Sequence, residues 1–187
     1  MEDTLLNLSS WGYLALAFFS FGGSLIVVAA AGVLSFLGEM NLVVSLIIAI
    51  IFNFVGDMFL FYLGKYHKED IKPYFEKHKR KIALSTLILR KYGVLAIFIQ
   101  KFLYGIKTLI PISMALSRYD FKKFALYNAL ASPFFVLTIM MSAYYAGDSI
   151  EALFEYFKAY PWLPFVVLAS IIALLWYGME HLTKRRK

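Results

Sequence analysis

Five long apolar stretches constrain this chain more than any other feature of its sequence. They cover residues 11–37, 42–64, 92–117, 122–147 and 161–182, and the segments between them are short or charged. A helix crosses a bilayer core of about 30 Å with roughly 20 mostly apolar residues. Hydrophobic residues make up 61% of the chain, whereas soluble domains contain about 45–50%. We therefore predict an all-α integral membrane protein that forms a single membrane domain over residues 1–187.

Positive charge predicts the side of the membrane that each loop occupies, because loops rich in lysine and arginine stay in the cytoplasm. Basic residues concentrate at 65–91, 118–123 and 184–187, whereas the turn at 38–41 and the loop at 148–160 are mainly acidic. We predict that the basic segments, including the C-terminus, are cytoplasmic. The first of them is expected to be an amphipathic region on the membrane surface.

Under this topology the stretch 92–117 enters and leaves the membrane on the same side. A single crossing would place the basic C-terminus outside. Two crossings would need about 40 residues, and the stretch has 26. Gly105 lies near its middle and Pro111 follows, and both residue types disfavour a continuous helix. We predict a re-entrant hairpin that opens to the cytoplasm.

The stretch 11–37 is predicted to form a second re-entrant hairpin, which enters from the opposite side. Gly22 and Gly23 interrupt its centre, while the acidic start of the chain and Trp11 suit the outer interface. Charge alone does not distinguish this hairpin from one long span. With 42–64, 122–147 and 161–182 as transmembrane helices, the chain would contain two hairpins and about three spans.

A weak internal repeat supports this arrangement. A shift of 83 residues superposes four residues of the first half on identical residues of the second. The pairs are Phe19 with Phe102, Gly22 with Gly105, Tyr62 with Tyr145 and Gly64 with Gly147. Hairpins that enter from opposite sides would make the halves inverted repeats, and such repeats place a binding site at the midplane, between broken helices. The two hairpin tips would then face each other there.

Three charged residues are predicted to lie at membrane depth, where a charge costs about 2.5–3.5 kcal/mol. Lys101 and Lys107 flank the tip of the second hairpin, and Asp57 lies within the 42–64 span, one helical turn from Asn53. The lysines, helped by N–H groups at the broken tip, would bind an anionic headgroup, and phosphate suits two ammonium groups. Alternatively, each lysine pairs with Asp57 or with a carbonyl and only stabilises the bundle.

Asp57 also has two interpretations. With Asn53 it would form a polar contact between helices, which typically contributes about 0.6 kcal/mol. As a desolvated acid it would instead couple transport to protons. The sequence leaves both open.

Other functional classes find little support. The chain has no cysteine, and its three histidines lack the spacing of a metal site, so we predict no metal and no cofactor. The formal net charge of +7 comes largely from loops beside apolar runs, which favours lipid headgroups over nucleic acid. A membrane phosphatase or transferase would need a positioned histidine or an acidic metal cluster. We therefore do not predict an enzyme.

The second hairpin carries a recognisable pattern over Phe98–Thr108, Pro111 and Phe121–Asn128. It resembles the DedA family, also called the VTT or SNARE-associated domain, whose signature is F-x-G-R-F-x-P-x-x-R-T. Gly56-Asp57 with the following Gly64-Lys65 is similar to a second stretch of that family, and the match extends over about residues 13–147. The resemblance implies two facing re-entrant hairpins. It also implies transport or scrambling of lipids in the bacterial inner membrane, including undecaprenyl phosphate carriers and glycerophospholipids.

The sequence departs from the family pattern at the second hairpin. Lys101 and Lys107 stand where the family usually has arginines, so the charge is kept while bidentate phosphate recognition is lost. Tyr104 and Gln100 replace a common proline and glycine.

The first hairpin departs from the pattern as well. It lacks the glutamate that usually precedes the tip in the family, and Ser20 and Ser24 are the polar groups that remain. Asp57 is then the one acid at depth, which weighs against a mechanism based on the missing carboxylates.

The sequence thus predicts a flippase or scramblase that moves a phosphate-headed lipid. The alternative is a proton-coupled antiporter of small cations that supports membrane homeostasis, and this would need several carboxylates along a wet path. Membrane lipids are the expected partners, with protons and self-association into a homo-oligomer left open. The predicted substrate-binding residues are Lys101, Lys107, Asp57, Asn53, Gly105, Tyr104 and Ser24.

Overall fold

A computed structural model of the protein describes residues 2–67, 69, 79–103, 107–117, 119–149, 151–152 and 160. Its helices are α1 (Glu2–Phe21), α2 (Leu25–Phe36), α3 (Leu42–Tyr66), α4 (Lys79–Tyr92), α5 (Ala96–Ile99), α6 (Leu109–Leu116) and α7 (Phe121–Tyr145). Short 3-10 turns at Gly93–Leu95 and Gln100–Phe102 flank α5. The described residues contain no strand, and the prediction of an all-α protein is confirmed.

The chain divides into two compact units, residues 1–147 and residues 148–187. All seven helices belong to the first unit. In the second unit residues 148–149 and 151–152 are helical. The span predicted at 161–182 lies outside the described residues, as does most of 68–78.

Three helical stretches are long and apolar enough to cross a membrane: α3, α7 and the continuous run Ala83–Phe102. Helix α3 shows how such a helix is built. Its small and polar residues are buried, whereas apolar side chains at every fourth position face outwards. The exposed side chains with this spacing are Val43, Ile47, Ile51, Val55 and Phe59. Because lipid is as apolar as these side chains, this distribution is stable in a bilayer and would be costly in water. The prediction of an integral membrane protein is confirmed.

The break predicted at Gly22 and Gly23 is present. Helix α1 ends at Phe21, Gly23 has a φ of 69°, and α2 begins at Leu25. Glycine adopts such a positive φ without the steric cost of a Cβ. Ser24 then caps α2, because its Oγ accepts a hydrogen bond from the Val27 N–H at 3.3 Å. The two arms of this first hairpin pack against each other.

The second hairpin follows a long helical run. This run begins at Lys79 and continues through α4, α5 and the 3-10 turns to Phe102, so the predicted boundary near residue 92 lies inside it and stays a prediction. The second arm of the hairpin, α6, has only eight residues. The tip at 104–106 lies outside the described residues, so the predicted positions of Tyr104 and Gly105 are not described. The return of each hairpin to its own side of the membrane stays a prediction.

In each half of the first unit, the second hairpin arm packs against the long helix of the other half. Helix α2 packs along α7, and α6 packs along α3. Glycines permit both approaches, because a Cβ at Gly32 would overlap the Met140 carbonyl and a Cβ at Gly64 would press on the Ile112 backbone. This reciprocal packing agrees with a two-fold relation between the halves, and the inverted repeat itself stays a prediction.

Candidate functional site

Lys101 lies at the centre of a buried polar cluster. Its ammonium Nζ donates hydrogen bonds to Asn53 Oδ1 at 2.7 Å, to Asp57 Oδ2 at 2.7 Å and to Ser132 Oγ at 2.9 Å. Lys101 and Asp57 are each 2% exposed. A lysine ammonium has three N–H donors, so all three are occupied. The negative charge of Asp57 balances the positive charge of Lys101 within this cluster.

Three helical elements bring these groups together. Asn53 and Asp57 lie four residues apart on α3, so both point from one face of the helix. Lys101 comes from the 3-10 turn after α5, and Ser132 comes from α7. On α3 the cluster separates two hydrophobic cores, since Ala49 belongs to one core and Phe61 to the other.

Helix α7 extends the cluster with a second polar pair. Ser132 donates to Asn128 Oδ1 at 3.3 Å, and Asn128 Nδ2 donates to the Phe54 carbonyl of α3 at 3.2 Å. Sequence reasoning missed both residues. The signal was available, because Asn128 and Ser132 repeat on α7 the four-residue spacing of Asn53 and Asp57 on α3.

Lys107 has a different environment. Its Nζ donates one hydrogen bond, at 2.6 Å, to the carbonyl of Gly23 at the tip of the first hairpin. The same Nζ lies 4.9 Å from the centroid of the Phe135 ring, within cation–π range. No carboxylate of the described residues lies within ion-pair distance of it. Lys107 is 8% exposed and keeps two N–H donors without a hydrogen bond in the described part of the chain.

A cavity of about 230 Å³, here called the tip cavity, lies between the two hairpins. Lys107 lines it, and both hairpins contribute to its wall. The other lining residues are Gly22, Gly23, Ser24, Leu25, Lys101, Phe102, Leu103 and Thr108. Among the described residues of this wall, Lys101 and Lys107 are the charged ones and none is an acid.

Two helices begin at the tip cavity. Helix α2 starts at Leu25 and α6 starts at Leu109, directly after Thr108. The first N–H groups of a helix have no partner within it, and the helix dipole adds partial positive charge at that end. With the Lys107 ammonium, these helix ends make the tip cavity suited to an anion.

The structure divides the predicted site residues into two groups. Lys107 and Ser24 line the tip cavity, whereas Asn53 and Asp57 lie in the buried cluster. Lys101 belongs to both, because it bonds to Asp57 and also forms part of the cavity wall. The two remaining predicted residues, at 104 and 105, fall on the tip that lies outside the described residues.

Several buried polar atoms lack a hydrogen-bond partner within the described residues. Both amide atoms of Gln100 are among them, as are Asn53 Nδ2, Ser20 Oγ and Ser45 Oγ. Gln100 is fully buried and precedes Lys101 in the same 3-10 turn. The residues that the structure describes contain no group of three His, Asp or Glu side chains able to hold a metal ion.

Comparison with known proteins identifies related chains. The family model described as "VTT domain" matches residues 9–145. Undecaprenyl phosphate transporter A of Staphylococcus aureus (strain NCTC 8325 / PS 47) is 24% identical over 170 residues, which cover 87% of this chain and 83% of the relative. Inner membrane protein YohD of Escherichia coli (strain K12) is 24% identical over 175 residues, with coverages of 91% and 90%.

Undecaprenyl phosphate transporter A of Bacillus subtilis (strain 168) is 22% identical over 196 residues, covering 98% of this chain and 96% of the relative. No solved structure matches the chain. The VTT-domain match spans both hairpins together with α3 and α7. The chain therefore belongs to the VTT-domain family of membrane proteins, also called the DedA family.

Proposed function

We propose that this protein moves a phosphate-headed lipid across the bacterial inner membrane, with its C-terminus in the cytoplasm and Lys107 as the residue that meets the phosphate. One observation carries the proposal. Lys107 holds a positive charge in a cavity between two hairpin tips, and no described carboxylate pairs with it. An unpaired ammonium in a mostly apolar site is costly unless an anion occupies the site for part of the time.

The proposed binding step exchanges one acceptor for another. A phosphate oxygen replaces the Gly23 carbonyl on the Lys107 Nζ, and the N-termini of α2 and α6 stabilise the remaining negative charge. Leu25, Phe102 and Leu103 make part of the same wall apolar, which disfavours a large hydrophilic headgroup. The acyl or prenyl tail stays in the bilayer while the phosphate passes between the tips.

Lys101 has a smaller part in this mechanism than in the prediction that both lysines bind phosphate. Its three donors already bind Asn53, Asp57 and Ser132, and Asp57 balances its charge. We assign it a structural role: its hydrogen bonds fix the turn after α5 to α3 and α7, so that Lys107 keeps its position in the tip cavity. Direct contact with the substrate then falls to Lys107 and Ser24, and the unpaired amide atoms of Gln100 and Asn53 make the surroundings more polar.

The relatives support phosphate as the group that is recognised. Those of Staphylococcus aureus and Bacillus subtilis are named undecaprenyl phosphate transporters, so a polyprenyl phosphate is our first choice of substrate, and a glycerophospholipid is the second.

The alternative of cation antiport fits this geometry less well. It requires an acid on a wet path, and Asp57, the one acid at depth in the described spans, is buried and paired with Lys101. We therefore propose movement of the lipid in both directions without a coupled proton, which corresponds to scrambling.

Reconstitution in liposomes tests the proposal. The native protein should move a fluorescent polyprenyl phosphate, and Lys107→Gln should slow that movement by at least about tenfold, because a charge-assisted hydrogen bond contributes about 1.5–3 kcal/mol. Lys91→Gln is the matched control, since Lys91 is an exposed lysine outside the tip cavity whose ammonium lies over the Tyr92 ring. Equal rates for Lys107→Gln and the native protein would refute the proposal.

Lys107→Arg tests whether transport depends on the positive charge of Lys107 or on the shape of its side chain. Arginine keeps the positive charge and adds two parallel donors for phosphate. We expect at least native transport from this variant. If Lys107→Arg lost transport as fully as Lys107→Gln, we would conclude that Lys107 packs the two hairpin tips together and does not bind an anion.

A further inference from the structure

A second cavity formed by described residues has a volume of about 580 Å³. It is here called the surface pocket. It lies where α3 ends, where α6 ends and where α7 begins. Its wall includes Lys65, Tyr66, Ala115, Tyr119, Asp120 and Lys122. Because α3 and α7 are candidate spans, a pocket at their ends lies at the boundary between membrane and water.

The charges of the surface pocket are available to a ligand. Neither Lys65 nor Lys122 has a carboxylate of the described residues within ion-pair distance. Asp120 is the one acid among the described residues of the wall, and its Oδ1 accepts a hydrogen bond from the Lys123 N–H at 2.8 Å as the cap of α7. Two lysines therefore face a single carboxylate that already stabilises a helix end.

Aromatic groups hold one of these lysines at the mouth of the surface pocket. The Lys65 Nζ lies 5.3 Å from the centroid of the Tyr66 ring and 5.8 Å from that of the Phe121 ring. These rings attract the ammonium without neutralising its charge. Tyr66 is 62% exposed and Phe121 is 39% exposed, and partly exposed rings at a span end suit the headgroup layer of a membrane.

We propose that the surface pocket is a second anion site, which binds the phosphate of an anionic membrane lipid before the lipid reaches the hairpin tips. A lipid suits this position better than a soluble anion, because the pocket opens at the ends of two candidate spans. Helix α6 connects the two sites, because Thr108, which directly precedes it, lines the tip cavity and Ala115 near its end lines the surface pocket. Its eight residues span about 12 Å.

Binding measurements in the Lys107→Gln background isolate this second site. The full-length protein in uncharged detergent is titrated with radiolabelled dioctanoyl phosphatidic acid, and bound lipid is counted. We expect saturable binding in Lys107→Gln, and at least about tenfold weaker binding when Lys65→Gln and Lys122→Gln are added. The control adds Lys91→Gln and Lys123→Gln instead, which removes two positive charges outside the pocket wall and should leave binding unchanged.

Competition identifies the ligand. Unlabelled phosphatidic acid should displace the label, whereas inorganic phosphate and dioctanoyl phosphatidylcholine should displace it at least about tenfold less well, because the first lacks the lipid body and the second is zwitterionic. Equal loss in the pocket and control variants would overturn the proposal, and equal competition by inorganic phosphate would assign the pocket to a soluble anion. Since transport is not measured, failure here leaves the role of Lys107 untouched, and failure of the Lys107 transport test leaves the surface pocket untouched.

Discussion

Lys101 and Lys107 are six residues apart in one hairpin, and their surroundings differ in nearly every respect. Lys101 donates to three side-chain acceptors, one of them a carboxylate, whereas Lys107 donates to one backbone carbonyl and faces a cavity. The comparison distinguishes a buried ammonium whose three donors are all bound from one that keeps two donors without a hydrogen bond within the described residues. The number and charge of their neighbours distinguish the two lysines better than their depth does.

The largest expected difference between the two lysines is in stability. Lys101→Gln leaves Asp57 buried without a partner, and removing one member of a buried ion pair costs about 3–5 kcal/mol. Lys107→Gln removes one charge-assisted hydrogen bond, which contributes about 1.5–3 kcal/mol, but it also removes the cost of a buried charge without a counter-ion, so its net loss should be smaller. Unfolding of the purified variants in detergent measures both values. The double variant Asp57→Asn with Lys101→Gln should recover most of the loss, and equal losses for the two single variants would contradict the distinction.

A glycine substitution tests the environment of Lys107 from the opposite hairpin. Gly23→Ala places a Cβ where the Lys107 ammonium lies and adds the strain of a positive φ, about 1–2 kcal/mol. Gly38→Ala carries the same strain at a φ of 78° with no neighbour within 4 Å of the added Cβ. Both variants should lose similar stability, and only Gly23→Ala should lose lipid transport. Transport lost equally in both would attribute the effect to backbone strain.

The smallest expected effect concerns one neighbour of Lys101. Ser132→Ala removes one of its three acceptors and should cost about 1 kcal/mol of stability while lipid transport continues. Thr138→Ala is the control on the same helix, because its Oγ1 is exposed and bonds only to the Phe134 carbonyl, and it should change stability by less than about 0.5 kcal/mol. A transport defect in Ser132→Ala without loss of stability would place Lys101 in direct contact with the substrate.

The sequence predicted the features that depend on local pattern. Apolar length located α3 and α7, paired glycines located the break after Phe21, and the spacing of Asn53 and Asp57 placed both on one helix face. Each of these follows from residues within one or two helical turns. Lys101 was also recognised as a candidate partner of Asp57, because so few charges lie in the apolar stretches.

The different environments of the two lysines could not be predicted in this way. The segment between Lys101 and Lys107 is not one regular helix, since a 3-10 turn ends at Phe102 and α6 begins only at Leu109. Helical spacing therefore gives no relation between their directions. The contact of Lys107 with Gly23 joins residues 84 positions apart. The helical run from Lys79 carries basic residues that are typical of a surface segment. These features depend on tertiary packing rather than on local pattern.

The packing of each hairpin's second arm against the long helix of the other half affects biosynthesis. Helix α2 is complete at Phe36, but its packing partner α7 ends only at Tyr145. At about 5–20 residues per second, the ribosome needs roughly 5 to 20 s to make the intervening chain. During that interval the Gly32 surface of α2 has no native partner, and lipid or the insertion machinery must cover it. The N-terminal hairpin therefore reaches its final fold late, even though it is made first.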